Sequence, residues 1–98
     1  MLQLRITLRA AAQIEKANRW WLENRPAAPE AFIDDLHAAF HLLARQPGIG
    51  SQVVNARATG VRRLHLGRVH YFVFYRVKGE GLVVLAVWHS SRARNPAV

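Results

Sequence analysis

The chain has no cysteine and only six carboxylates among its 98 residues. Without cysteine there is neither a disulfide framework nor a thiolate zinc site. Five of the six carboxylates precede residue 50, leaving Glu80 alone in the second half. The one adjacent pair, Asp34-Asp35, falls in a helical stretch, where neighbours diverge by about 100°. It reads as a solvated helix face and argues against two-carboxylate acid–base chemistry. No run approaches the ~20 apolar residues of a membrane span. Arg5 and Arg9 interrupt the apolar start, which is not the pattern of a secretory signal. A cytoplasmic protein without membrane contact is expected.

What is abundant is positive charge, and it is unevenly placed. Residues 1–50 carry six Lys/Arg against five Asp/Glu, whereas residues 51–98 carry eight against one. Most of the net charge of +8 therefore sits in the second half, which suggests a surface for an anionic partner. An apolar fraction of 51% argues against disorder. A chain of this length makes one domain, residues 1–98, burying roughly 65% of its unfolded surface.

Leu2, Leu4, Ile6 and Leu8 alternate with polar neighbours, the period of a half-buried strand. From Ala10 the pattern becomes helical, with Ala10, Ile14, Ala17 and Trp21 on one stripe and Glu15, Arg19 and Glu23 opposite. Pro26 ends that helix. Pro29 suits the first turn of a second helix, whose buried stripe is Phe32, Leu36, Phe40 and Leu43. Residues 47–60 form a connecting loop, followed by strands over 61–66, 69–78 and 82–89. The middle strand is apolar on both faces, so it should be central and covered twice. The helices cover one face; the tail or a partner should cover part of the other. The fold class is α+β: one β-α-α-β-β-β domain, an antiparallel helix hairpin on a twisted, mostly antiparallel sheet.

His37 and His41 have a metal-ligand spacing, but Ala-Ala-Phe between them lacks a catalytic glutamate. They read as solvated helix histidines, and no metal or cofactor is expected. Gly48-Ile49-Gly50 is not followed by Lys-Ser/Thr and is a loop, not a phosphate cradle. The basic cluster carries more. Arg63 and His65 share one face of their strand, Arg76 and Lys78 end the next, and His89 and Arg92 end the last. Such forks and imidazoles bind phosphates or carboxylates, and an imidazole can serve a ribose hydroxyl as acid or base.

Trp20-Trp21, Arg25-Pro26-Ala27-Ala28, Gln46-Pro47-Gly48-Ile49-Gly50, Gly60-Val61-Arg62-Arg63-Leu64, Tyr75-Arg76-Val77 and Val87-Trp88-His89 through Arg92 together resemble the ParE/RelE toxin superfamily, ParE-like branch, over residues 2–94. The resemblance implies the toxin of a type II toxin–antitoxin module. It also implies neutralisation by an acidic, ParD-like antitoxin whose disordered segment folds along the hairpin and the sheet. RelE-like members cut mRNA on the ribosome; ParE-like members poison DNA gyrase. The two strand lysines of the nucleases fall at Arg63 and His65, their central-strand arginine position is Phe72, and no tyrosine follows Tyr75. The nuclease set is thus broken.

The expectation is a gyrase-binding toxin with no catalytic residues, contacting DNA only through its antitoxin or through gyrase. Arg62, Arg63, His89, Arg92 and Arg94 would form one basic sheet end that meets the target. Trp20, Trp21, Phe40 and Arg76 would meet the antitoxin. The alternative is a RelE-like mRNA endonuclease using His65 or His89 with Arg63, Arg76 and Arg92, or a degenerate, non-toxic antitoxin-binding module.

Overall fold

A computed structural model describes all 98 residues. Strand β1 (Gln3–Ile6) leads into helix α1 (Leu8–Asn24), then helix α2 (Ala31–Arg45), a single 3-10 turn (Pro47–Ile49), and strands β2 (Ser51–Gln52), β3 (Arg62–Leu66), β4 (Tyr71–Lys78) and β5 (Gly81–His89). The sheet order is β1-β5-β4-β3-β2. β1 runs parallel to β5, and every other pairing is antiparallel.

The first helix starts two residues earlier than the apolar stripe suggests. Thr7 is its N-cap: the hydroxyl accepts the Ala10 amide hydrogen at 3.1 Å and donates to the Leu85 carbonyl at 3.3 Å. One side chain thus satisfies a helix-end donor and ties the helix to the sheet. The chain leaves α1 at Arg25, before Pro26. Pro29 lies ahead of the second helix rather than within its first turn; Glu30 occupies the cap and α2 begins at Ala31. Phe32, Leu36, Phe40 and Leu43 are all buried as the period demands, each contributing roughly 1.5–3 kcal/mol. The connecting loop also holds a feature too short for periodicity to show, the two-residue β2 on β3.

The two sheet faces are covered by different material. The helices bury Val73, Tyr75, Leu82, Val84 and Val87. On the other face Phe74, Val61 and Ala86 form a smaller core beneath Val53, Ala56, Ala58 and Val98. The loop after β2 and the C-terminal tail thus supply the cover that the doubly apolar β4 requires. Ala58 donates its amide hydrogen to the Val98 carbonyl at 2.9 Å, and Arg9 reaches the Ala97 carbonyl at 2.8 Å. No helix is long and apolar enough to cross a membrane.

Candidate partner-binding groove

A bulge decides which residues of β5 face the helices. Phe74 pairs with Ala86 but Tyr75 pairs with Val84, leaving Leu85 without a partner. One extra residue inverts the alternation beyond it. Val87 and His89 therefore join the helix side, and Trp88 is sent to the opposite face.

His89 consequently stands at the end of the sheet beside the last turns of α1. There the residues Trp20, Trp21, Arg25, Arg68, His70, Tyr71 and His89 surround a depression of about 390 Å³. The β3–β4 turn contributes its far wall, and His70 holds a left-handed backbone conformation with φ of 61° at its corner. A second depression of about 350 Å³ shares Trp20, Tyr71 and His89 and extends to Lys16, Trp88 and Arg92. Together they make one groove along the flank of α1, containing all three tryptophans of the chain.

Its charge has one sign. Asp35 is the neighbouring carboxylate, and Arg68 already occupies it, donating from Nη2 to Oδ1 at 2.6 Å and from Nε to Oδ2 at 3.0 Å. That pair holds the guanidinium above its ordinary pKa, first through the hydrogen bond and then through the charge of Asp35. Arg25 lies over Trp20 and Trp21, 4.9 and 5.6 Å from the ring centres. Arg92 lies 3.8 Å over Trp88. Neither has a carboxylate partner. The Trp21 indole N–H is sealed from water with no acceptor. Burial pushes the Tyr71 phenol upward, opposed by Arg92. Around His89, Nδ1 receives the Ser91 amide hydrogen at 3.1 Å and lies 2.6 Å from the Ser91 hydroxyl. The neutral ring therefore carries its proton on Nε2 and presents a donor outward. The groove is rich in donors and poor in acceptors, so what fits it brings acceptors.

The residues expected to form one basic sheet end do not lie together. Arg62 pairs with Tyr75 while His89 pairs with Tyr71, four residues or about 13 Å further along the strand. β3 and β5 both run against β4, so the start of one and the end of the other fall at opposite ends of the sheet. Arg62 is also engaged, donating to the Gly50 and Gly48 carbonyls at 2.7 and 3.3 Å. Arg63 is on the other face, 4.1 Å over Phe72 and bonded to Asn95 of the tail at 3.0 Å. Arg94 is exposed, and its carbonyl accepts the Trp88 indole hydrogen at 3.0 Å.

The other expected groupings also divide. His65 leans on Phe72, 4.9 Å between ring centres, on the tail side, whereas His89 packs edge-on against Tyr71 at 5.0 Å on the helix side. Arg76 is half-buried on the tail side, its Nε without a partner. Trp20 and Trp21 do line the groove, but Phe40 lines a separate depression beside Leu2, Leu4 and His41. Lys16, Arg25 and Arg68 were not singled out from the sequence. Lys16 and Arg25 follow from the helical register around Trp20 and Trp21; Arg68 sits in a turn, where no period speaks.

Fold and groove define a small basic α+β domain built to hold an acidic partner. Residues 4–94 match the family described as ParE toxin of type II toxin–antitoxin system, parDE, and the chain belongs to that family. Among curated proteins no sequence match was found. A solved chain described as "Chromosomal ParDE TA system from P. aeruginosa" is similar in structure, with a TM-score of 0.60 and 22% identity, over 91% of this chain and 96% of that one. At that identity the likeness is one of fold.

Proposed function

We propose that this type II toxin poisons DNA gyrase in the cytoplasm by binding, without chemistry of its own, and that an acidic antitoxin neutralises it. The observation that carries the reading is the separation of His65 and His89 onto opposite faces of the sheet. No single scissile bond reaches both imidazoles. Phe72 stands between Arg63 and His65 on the tail side, at the position where the resembling nucleases carry an arginine. What remains on that side is an exposed basic surface, Arg63 with Arg92, Arg94 and the tail, suited to contact rather than proton transfer.

A ribosome-dependent nuclease is the second reading, because His89, Tyr71 and Arg92 do share one depression. It is disfavoured by the His89 tautomer, which offers a proton donor where the 2′-hydroxyl needs a base. The deciding experiment titrates the purified protein into gyrase with relaxed plasmid and scores supercoiling together with cleaved DNA. Loss of supercoiling with accumulated gyrase-linked linear DNA is expected. Unimpaired supercoiling at excess protein, with new message ends in expressing cells, overturns the proposal for the nuclease.

A further inference from the structure

We infer that the groove between α1, the β3–β4 turn and the end of β5 is where an acidic, apolar-studded segment of the neutralising partner lies, and that in lying there it covers His89. This rests on the toxin reading, in that the partner is the neutralising one; the ligand chemistry rests on the groove itself.

Three observations carry it. First, the four rim cations Lys16, Arg25, Arg68 and Arg92 face the groove, and only Arg68 has a carboxylate. Arg25 otherwise reaches only the neighbouring Asn24 carbonyl at 3.4 Å. A partner carboxylate meets guanidiniums that have no competing anion, in sites partly shielded by aromatic rings. Secondly, the floor is apolar: Trp21 and Val69 are buried, and Trp20 is 44% exposed. A volume of about 390 Å³ takes one or two large side chains, within the usual range for a ligand pocket. Thirdly, the Trp21 N–H lacks an acceptor, which an arriving carbonyl or carboxylate can supply once Arg25 swings off the ring.

Single-stranded nucleic acid is the competing anion, and the geometry disfavours it. Base recognition needs free aromatic faces, yet Arg25 and Arg92 already lie over the tryptophans. A peptide needs no such face. Its carboxylates draw the guanidiniums outward, and its apolar side chains take the wall they leave. Because His89 is central to both depressions, neutralisation is then direct coverage of that residue and its surroundings.

The test is a selection of random dodecapeptides displayed on phage against the whole chain. The expected enrichment is in Asp and Glu interspersed with Leu, Phe or Trp, lost by about tenfold or more against the R25E/R92E double variant. Both arginines are exposed and free of carboxylates, so that variant should keep its fold, as circular dichroism would check. Synthetic versions of the selected peptides should shift the tryptophan emission, since all three tryptophans line the groove. Absence of enrichment, enrichment in neutral or basic sequences, or binding that ignores R25E/R92E overturns the inference. So does tryptophan quenching by a single-stranded oligonucleotide but not by the peptides. If gyrase is untouched while acidic peptides bind as expected, the toxin reading fails and the groove assignment stands. If supercoiling is lost while no acidic peptide enriches, the reverse holds.

Discussion

The Tyr75 hydroxyl receives the amide hydrogen of Gly50 at 3.0 Å and passes its own to the Pro47 carbonyl at 2.6 Å. Tyr75 is 1% exposed, so one buried phenol anchors the loop between the helices and the sheet. Removing it in Tyr75→Phe leaves the Gly50 N–H without an acceptor, at a cost of roughly 1–3 kcal/mol. Denaturant unfolding should show a lower midpoint with an unchanged slope.

Gly50→Ala should be worse. A Cβ there would lie 2.5 Å from the Tyr75 hydroxyl oxygen and 2.8 Å from the Arg63 carbonyl oxygen. The backbone of β2 must move off β3, and the loss expected is about 2–4 kcal/mol, as for other overpacked core positions. Thermal melts of the two variants side by side check the order.

Burial pushes the Tyr75 phenol above its ordinary 10.0, offset in part by Gly50 and Arg62, and it pushes Tyr71 the same way. Above pH ~10 the unfolded chain loses those protons before the folded one, so unfolding releases protons and stability falls with rising pH. The stability is whole below the unfolded value and is lost as pH climbs through the raised folded ones. Tyr71→Phe with Tyr75→Phe should flatten this alkaline decline relative to the parent, measured as ΔG of unfolding between pH 8 and 11.

The tail is tied by Arg63 to Asn95 and by Ala58 to Val98. Arg63→Ala should free residues 93–98 while costing the domain less than about 1 kcal/mol, because the contact is exposed. Faster amide exchange confined to the tail and the 56–58 loop would show it. On the gyrase reading, Arg63→Glu should also weaken supercoiling inhibition by about tenfold, whereas His65→Gln should leave it unchanged.

The two-layer fold was legible because the helical stripes and the alternation of β4 are long enough to carry a period. β2 was not, being two residues long. The basic residues were legible as a set but not as a surface. Assigning them to one end requires knowing that β3 and β5 point the same way and that Leu85 is bulged out, and neither fact has a local signature. The same bulge explains why His89 and Trp88 exchanged faces relative to simple alternation. Trp20 and Trp21 were recognisable as neighbours of the helical stripe, but Arg68 was not, since its place depends on Asp35, 33 positions earlier in the chain.

The parallel pairing of β1 with β5 joins residues 3–6 to residues 81–84. During synthesis the first strand has no partner until nearly the whole chain has been made, and such distant pairing is slow to form. Helix α1, capped by Thr7 against Leu85, waits on the same event. A nascent chain is therefore not a partly active toxin: the groove that places Trp20 beside His89 comes into being only with the last strand. The topology thus sets when the molecule can begin to act, as well as what it can hold.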